Sequence, residues 1–364
     1  MCGAIWQSMR RRGMWSSRWA PATDTAWARN CWPLCANARW GMVRAEPAGL
    51  LELEARLQTL GLAVRRDEPL ARHTTWRVGG PADLFVTVQS IDDLIHAVEL
   101  AWTYELPCFV LGGGSNILVG DGGIRGLVVH NRAGAMSVEI AGQRFPLEKA
   151  PADMQEAVLY LESGAALPAA ARRLIELGWD GLTWAADIPG TIGGAVVQNA
   201  GAFGECLADR VIEVEWMDPA GRLSAWPREE CGFGYRSSRL RGRRDIIVLG
   251  LRMQVERREP AELRARHAEL AALRRSRQPA GPSAGSVFRN PAGGYACKLI
   301  EEAGLKGRRI GGAHISERHA NFIVNDAGAT AQDILRLIEL ARESVRRTHG
   351  VELELEIELV GEFA

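Results

Sequence analysis

Ser286 stands in the stretch AGSVFRNP (284–291), where small residues precede it and Phe288, Arg289 and Asn290 follow it. A serine in this setting is compatible with an ordinary loop position, a nucleophile or a proton donor. The G-x-S-x-G turn that presents the serine of many hydrolases is missing around it, which weakens a hydrolase interpretation. A histidine brought close by the fold would still be able to activate Ser286, so the pattern alone leaves its role open.

Two glycine clusters are the second candidate for chemistry. They are LGGGSN (111–116) and IPGTIGGAVVQNAG (188–201), and both have apolar flanks. Glycine turns let a backbone approach a ligand closely, and their successive amide groups form nests that bind anions such as pyrophosphate. Neither cluster has the G-x-G-x-x-G spacing of the Rossmann fingerprint, and no Walker lysine is present. Two tight turns remain the plain alternative, but the pair favours a dinucleotide cofactor in a fold other than the Rossmann fold.

The remaining chemically capable residues give weaker signals. His314 and His319 are five positions apart and lack the acidic partner of an H-E-x-x-H site, so we expect no metal centre. For Arg236, in GFGYRSSRL, the plain interpretation is a structural one, because an arginine beside a tyrosine on a strand edge is commonplace. Glu356 is one of four glutamates that alternate with apolar residues in VELELEIELV, which predicts a solvent-facing position. The pattern alone selects neither residue.

Hydrophobic periodicity and capping signals predict the elements that must position these residues. A strand carrying Leu84, Val86 and Val88 follows the turn at Gly79–Pro81, and Ser90 is the expected cap of the next helix. Strands are also expected within 107–120, 211–218, 245–258 and 351–359, and helices at 50–61, 91–106, 167–178, 260–278 and 329–350, the last with a Thr330–Asp333 capping box. This mixture predicts an α+β fold. A domain boundary is expected near residue 258, where sheet gives way to helix and a Pro/Gly loop.

Composition bounds the function. The 364 residues carry no formal net charge, with a pI near 7.1 and 47% hydrophobic residues. Nothing therefore indicates a nucleic-acid or membrane surface, and no apolar run is long enough to span a bilayer. Seven scattered cysteines form no C-x-x-C pair, which argues against a disulfide framework or zinc ribbon and favours a cytoplasmic location.

Residues 1–45 differ from the rest of the chain. They hold six of the twelve tryptophans, seven arginines and a single acid, Asp24, without helical or strand periodicity. An organelle transit peptide is one interpretation. We favour a non-essential extension that arises from a misassigned start, because Met42 directly precedes the first predicted helix. Mass spectrometry of the native protein tests this expectation, and an N-terminus at Met1 would exclude it.

Seven motifs in this order resemble the UDP-N-acetylenolpyruvoylglucosamine reductase family. They are HTTWRVGGPADLFV, LGGGSNILV, IPGTIGGAVVQNAGAFG, YRSS, GSVFRNP, AGLKG and HANFIVN. The resemblance runs from about residue 66 to the C-terminus and is closest to the shorter subtype, which lacks an inserted substrate-covering tyrosine loop. Residues 139–157 diverge from the pattern.

The resemblance implies an FAD-binding region of the vanillyl-alcohol-oxidase/PCMH type at 46–258, in two parts divided near 113, and a C-terminal α/β substrate-binding domain at 259–364. It implies that FAD passes hydride from NADPH to the enolpyruvyl ether of a UDP-sugar. Ser286 is then the proton donor, with Arg236 and Glu356 as the other catalytic residues. The implied substrate-binding residues are Tyr235, Arg289 and Asn290. The implied cofactor-binding residues are Gly112, Gly113, Gly114, Ser115, Asn116, Pro189, Gly190, Thr191, Gly193, Gly194, Asn199 and Gly201.

Two other functions remain as alternatives at this point. An FAD-dependent oxidase of a small alcohol or sugar would react quickly with oxygen and have no use for Ser286. A nucleotide-sugar-binding module without catalysis would be colourless. For each of these candidate functions we expect the site to bind a small molecule. We expect no nucleic-acid, membrane or obligate protein partner.

Overall fold

The structure is a computed structural model and describes residues 47–363. Its first layer is a sheet of four strands in the order β1-β2-β5-β3, in which β2 and β5 run parallel. The elements are α1 (Pro47–Thr59), β1 (Val64–Pro69), β2 (Pro81–Val88), α2 (Ile91–Thr103), β3 (Cys108–Leu111), β4 (Ile117–Val119) and β5 (Ile124–Asn131). Ser90 caps α2 by accepting a hydrogen bond from the Asp93 amide at 3.1 Å. The predicted helix and its cap are confirmed.

The second layer is a larger sheet in the order β13-β12-β14-β8-β6-β7, with β9 also paired to β14. The elements of this part of the chain are β6 (Met136–Ile140), β7 (Gln143–Pro146), β8 (Glu156–Glu162), α3 (Leu167–Leu177), β9 (Trp179–Asp180), α4 (Ile192–Gln198), β10 (Gly201–Ala202), β11 (Glu205–Cys206), β12 (Val211–Met217), β13 (Leu223–Pro227) and β14 (Ile247–Arg257), of which β10 and β11 form a separate two-stranded sheet. Its neighbouring strands pair antiparallel. The loop between β13 and β14 carries Arg236.

The C-terminal part packs helices against a small antiparallel sheet, β15-β16-β17. Its elements are α5 (Pro260–Arg277), α6 (Ala296–Glu302), β15 (Arg309–Ile310), β16 (Ala313–Ile315), β17 (Ile323–Asn325), α7 (Ala331–His349) and β18 (Glu358–Val360). The predicted capping box of α7 is present, since Thr330 and Asp333 exchange side-chain-to-backbone hydrogen bonds.

Contacts across the sequence tie this C-terminal part to the rest. Strand β18 pairs in parallel with β4, so that Leu359 lies opposite Leu118. Trp76 is fully buried in the C-terminal core and donates its indole N–H to the Ile323 carbonyl at 2.7 Å. Helix α5 instead packs on the core of the second sheet through Leu263. The segments that carry the site residues are therefore held together from both halves of the chain.

The prediction of one long strand over 351–359 is wrong. Only Glu358–Val360 forms a regular strand, and Leu359 is 38% exposed although the alternation placed it inward. The Glu356 side chain, placed on the solvent face, is only 14% exposed. The reason is a change of partner: Glu356 donates its amide to Val287 O, whereas Glu358 donates to Asn116 O in another segment. Which side chains are buried in this stretch therefore depends on the segment that each residue pairs with, and not on a strict alternation of inward and outward residues.

Strands β6 and β7 form a hairpin over residues 136–146, where no element was predicted. Ala141 and Gly142 connect its strands with φ values of +49° and +77°. The predicted domain boundaries stay predictions. The prediction that residues 1–45 are a non-essential extension concerns residues outside those that the structure describes. No helix of the described chain is both long and apolar enough to cross a membrane.

Candidate active site

The two glycine clusters lie against each other. The first connects β3 to β4 and the second leads into α4. Ser115 Oγ donates a hydrogen bond to Pro189 O at 3.1 Å, and a Cβ on Gly113 would stand 2.9 Å from Gly190 Cα. Real Cβ atoms essentially never come so close, so only glycine fits at 113. The clusters therefore form one continuous backbone surface.

The first cluster presents free backbone donors. The amide N–H groups of Gly113, Gly114 and Ser115 donate to no atom within residues 47–363. Gly114 has a φ of +58°, and a Cβ at this position would collide with the His73 carbonyl. Successive amides around a left-handed residue make a concave anion site. The residues fit a diphosphate such as that of a dinucleotide cofactor.

The second cluster is shaped mainly by contacts within the protein. Thr191 caps α4, since its hydroxyl accepts from the Gly194 amide at 3.4 Å. Gly193 donates its amide to Ser163 O at 2.8 Å, and a Cβ at this position would make a tight contact of 3.0 Å with Ser163 Cβ. Gly112 faces the Thr191 side chain in the same close manner, and Gly201 pairs with Cys206.

Asn199 links the second cluster to the loop of Arg236. It adopts a left-handed φ of +45° at the end of α4, and its side chain is buried. Its amide donates to Gly234 O at 2.9 Å and its Oδ1 accepts from the Ala208 N–H at 3.1 Å. Asn199 thus fixes the position of this loop through its own side chain.

Arg236 lies in a tight turn closed by two backbone hydrogen bonds between Gly234 and Ser237. Its φ of +51° is in the left-handed region, which L-residues other than Asn, Asp and Gly rarely occupy. Its neighbour Tyr235 is 56% exposed. A cavity of about 480 Å³ opens beside this turn and is lined by Phe233, Tyr235 and Arg236 among others.

Arg236 and Glu356 form an ion pair, with 2.9 Å between Nε and Oε1. The two positions are 120 residues apart in the chain. Burial raises the pKa of the Glu356 carboxyl, and the cations of Arg236, Arg241 and Arg289 partly offset this rise. The fold has therefore enclosed a carboxyl group among guanidinium groups, which is typical of a functional site.

The segment of Ser286 runs beside Glu356. Phe288 forms an antiparallel bridge with Leu355, and Glu356 donates its amide to Val287 O at 2.8 Å. Ser286 itself is partly buried and follows Gly285, whose φ is +76°. These contacts bring the segment of the predicted proton donor to that of Glu356, as the family motif implies.

Arg289 and Asn290 follow in the same segment. Arg289 donates to the Arg236 carbonyl at 2.6 Å, and its Nε is buried without a partner in the described residues. Asn290 is exposed and accepts the Ala296 amide through Oδ1 at 3.1 Å, at the start of α6. Arg289 therefore keeps a donor group without a partner beside Arg236, whereas the contact given by Asn290 is with α6.

The main-chain carbonyl of Glu356 is a junction that sequence reasoning missed. Asn116 Nδ2, Gln198 Nε2 and an NH2 of Arg241 all donate to it, at 3.1, 3.1 and 3.0 Å. Asn116 was expected at the cofactor, and Gln198 lies within the second glycine motif. Arg241 carries no pattern that separates it from the other arginines of its loop.

Comparisons with known proteins show which family the chain resembles. Residues 277–360 match the family model described as UDP-N-acetylenolpyruvoylglucosamine reductase, C-terminal domain, and residues 82–225 match that described as FAD binding domain. A UDP-N-acetylenolpyruvoylglucosamine reductase of Moorella thermoacetica is 44% identical over 315 residues, which cover 86% of this chain and 99% of the relative. That of Chloroflexus aggregans is 42% identical over 307 residues, or 83% and 99% of the two chains.

A solved structure shares the fold. The crystal structure of UDP-N-acetylenolpyruvylglucosamine reductase from Thermus caldophilus superposes with a TM-score of 0.67 at 35% identity. The match covers 82% of this chain and 99% of that one. The α+β architecture described above is thus shared with nearly the whole of that solved chain. The presence of an FAD-binding domain and of the family's C-terminal domain, which the motifs implied, is confirmed.

Proposed function

Because this chain belongs to the UDP-N-acetylenolpyruvoylglucosamine reductase family, we propose that Ser286, Arg236 and Glu356 are the residues with which it catalyses that family's reaction. The reaction is the NADPH-dependent reduction of UDP-N-acetylglucosamine enolpyruvate to UDP-N-acetylmuramate, a step of peptidoglycan precursor synthesis, and FAD is the cofactor. The observation that carries the proposal is the partly buried ion pair of Arg236 with Glu356, beside the segment of Ser286.

The glycine surface is the proposed cofactor site. The free amides of Gly113, Gly114 and Ser115 would hold the diphosphate of FAD. When bound, FAD supplies the hydride chemistry by accepting hydride from NADPH and passing it to the substrate. The other residues of the two motifs, namely Gly112, Asn116, Pro189, Gly190, Thr191, Gly193, Gly194, Asn199 and Gly201, shape this surface in the proposal.

Arg236 would stabilise negative charge on the substrate. Hydride addition to the terminal carbon of an unsaturated carboxylate builds charge on the adjacent carbon and on the carboxylate oxygens. A guanidinium held in place by Glu356 at 2.9 Å can donate to those oxygens without reorganising. Such fixed donors typically contribute about 3–4 kcal/mol to transition-state stability. Tyr235, Arg289 and Asn290 would bind the substrate around it.

Ser286 would donate the proton that completes the reduction. A charged carbon intermediate is a strong base, so a weakly acidic hydroxyl protonates it without an activating histidine. This answers the question that the motif raised, since a nucleophilic serine would need such a base. The partly buried position of Ser286, next to the strand pairing with Glu356, supports this role.

Glu356 would act by orienting Arg236. An ionised carboxylate that faced the developing charge directly would repel it, whereas a carboxylate bonded to the Arg236 Nε leaves the other guanidinium nitrogens for the substrate. The raised pKa of Glu356 places its titration closer to neutrality than for a free glutamate.

The remaining features of the proposal concern the whole chain. It acts on its UDP-sugar substrate as a single-chain enzyme in the cytoplasm, without an obligate protein, nucleic-acid or membrane partner. Residues 46–258 would be the FAD-binding region, in two parts divided near 113, and residues 259–364 the substrate-binding domain. The free amides of the first glycine cluster and the match of 277–360 to the family's C-terminal domain support this division.

One spectroscopic cycle tests the function. Under nitrogen, NADPH should bleach the yellow protein, and UDP-N-acetylglucosamine enolpyruvate should then restore the colour with formation of UDP-N-acetylmuramate. A flavin that NADPH leaves oxidised, or one that the substrate cannot reoxidise, would contradict the proposal. Rapid reoxidation by air in place of substrate would instead favour the oxidase.

A further inference from the structure

Arg241 connects the two residues of the ion pair through their main chains. One of its terminal nitrogens donates to Arg236 O at 2.7 Å and to Gln198 Oε1 at 3.1 Å. The other donates to Leu355 O and Glu356 O, both at 3.0 Å. The four acceptors belong to segments that are far apart in the sequence or, for Arg236, separated from Arg241 by a turn. The proposed mechanism gives Arg241 no contact with substrate.

The backbone at Arg236 needs such support. Its left-handed φ of +51° is unfavourable for a residue with a Cβ, and conformations of this kind persist only where their surroundings hold them. The carbonyl of Arg236 accepts from both Arg241 and Arg289, at 2.7 and 2.6 Å. Hydrogen bonds from cations are the strong ones in proteins, so these two fix the direction of the Arg236 peptide.

The main chain at Glu356, the other residue that Arg241 contacts, is also held by several hydrogen bonds. The Glu356 carbonyl accepts from Arg241 and also from Gln198 Nε2, while Gln198 Oε1 accepts from Arg241. Arg241, Gln198 and Glu356 therefore close a small cycle of hydrogen bonds. A shift of any one member changes the geometry of the other two.

We propose that Arg241 is a positioning residue that holds the main chains of Arg236 and Glu356 at the separation their side-chain ion pair requires. The inference rests on the proposed function, because it assumes that this pair serves the reduction of the enolpyruvyl ether. Arginine is needed because its planar fork reaches two carbonyl groups on different segments at once, whereas lysine offers a single charged nitrogen. The effect is on the orientation of Arg236, and not on binding of the cofactor.

The test compares Arg241→Met and Arg241→Lys with a matched control, Arg257→Met. Arg257 also donates to three backbone carbonyls, those of Met154, Leu177 and Pro151, at 3.3, 2.7 and 3.1 Å. It lies on β14 next to Trp179, outside the site. For each full-length holoenzyme we would measure flavin content, thermal unfolding, flavin reduction by NADPH, reoxidation by substrate, KM and the pH profile of reoxidation.

If Arg241 positions the pair, Arg241→Met keeps its flavin and is reduced by NADPH within about threefold of the unsubstituted rate, while reoxidation by substrate slows on the order of 100-fold, as misplacement of a reacting group by about 1 Å can produce. The loss falls on kcat more than on KM. Arg241→Lys recovers only part of the rate. Arg257→Met lowers thermal stability but keeps both half-reactions.

The pH profile separates positioning from a general structural loss. Arg241 is one of the cations that lower the pKa of Glu356, together with Arg236 and Arg289. If Arg241 is removed, the part of the pH–rate profile of flavin reoxidation that reflects titration of Glu356 should shift to higher pH. In Arg257→Met, the same part of the profile should stay where it is in the unsubstituted protein.

Three outcomes would overturn the inference. Reoxidation and its pH profile could be unchanged in Arg241→Met, Arg241→Lys could restore the full rate, or Arg257→Met could reproduce the same selective loss. If Arg241→Met does not fold, the lysine variant decides by the same criteria. An unsubstituted protein that NADPH cannot reduce would refute the proposed function and this inference with it. An unsubstituted protein that completes the cycle, with Arg241 variants like the control, would refute this inference alone.

Discussion

Replacement of Arg236 by methionine removes one partner of the ion pair and leaves Glu356 in place, with 14% of its side chain exposed. Two effects follow from the structure. The guanidinium proposed to stabilise charge on the substrate is lost, and loss of one such donor typically lowers the rate by about 10²–10³-fold. The Glu356 carboxylate also loses a charged hydrogen bond of 2.9 Å, and breaking such a bond costs roughly 1.5–3 kcal/mol.

The stability loss should lie at the lower end of that range. Arg241 and Arg289 remain near Glu356 and continue to lower its pKa, so the carboxylate is not left among neutral groups alone. Because the native pKa of Glu356 is raised, the folded state binds more protons than the unfolded state above the ordinary glutamate pKa, and stability falls as pH rises through that window. Without Arg236 the native pKa rises further, and this window extends upwards.

The stability difference between the two proteins should therefore grow as pH rises above the raised native pKa that Glu356 has in the unsubstituted protein, and shrink in acid, where Glu356 is protonated in both. Urea unfolding at several pH values measures it. Anaerobic stopped-flow spectroscopy measures the half-reactions: flavin reduction by NADPH should be nearly unchanged, and reoxidation by substrate should slow by about 10²–10³-fold.

A matched control is available in the second sheet. Arg252 forms ion pairs with Glu139 and Glu213 at 2.7 and 2.9 Å, and its side chain is 29% exposed, against 23% for Arg236. Arg252→Met should lower stability without selective slowing of reoxidation. The reasoning is refuted if Arg236→Met reoxidises at the unsubstituted rate, slows both half-reactions equally, or loses more stability in acid than at neutral pH.

Other substitutions test separate parts of the structure. Ser286→Ala should keep flavin reduction fast and slow only reoxidation, measured by stopped flow, and equal slowing of both would contradict the donor role. Gly114→Ala should abolish flavin binding, measured by absorbance of the purified protein, because its Cβ would collide with the His73 carbonyl. The matched control is Gly142→Ala, where φ is also positive but a Cβ would meet nothing within 4 Å. This control should lose only about 1–2 kcal/mol of stability and keep the flavin. Thr330→Ala removes the cap of α7 and should lower the free energy of unfolding by about 1 kcal/mol without altering either half-reaction; loss of activity at unchanged stability would contradict this structural role.

Local signals in the sequence were sufficient for much of the fold. The caps Ser90 and Thr330, and the glycines Gly61 and Gly178 that end the predicted helices 50–61 and 167–178, marked helices that the structure contains. These features depend on contacts within a few residues, and such contacts are readable from the chain itself. The hairpin at β6–β7 is also local, but its turn residues Ala141 and Gly142 do not form one of the common hairpin pairs.

The site itself depends on contacts that no local pattern records. Arg236 and Glu356 meet across 120 positions, and the alternation around Glu356 predicted the wrong face because the chain changes partners there. The family resemblance implied catalytic roles for both residues where periodicity pointed to neither, and those roles stay predictions. Neither periodicity nor the family resemblance pointed to Gln198 or Arg241. Both side chains donate hydrogen bonds to main-chain carbonyls. Every residue type has such a carbonyl, so the type of the accepting residue does not reveal the bond.

A crystal structure of the full chain with FAD and UDP-N-acetylglucosamine enolpyruvate bound would test the proposed catalytic arrangement most directly. We expect the Arg236 guanidinium to bind the substrate carboxylate while keeping its bond to Glu356, and the Ser286 hydroxyl to lie within hydrogen-bonding reach of the carbon that receives the proton. Side chains of Ser286 and Arg236 that lie on opposite sides of the bound flavin, or that contact only solvent, would contradict the proposed mechanism.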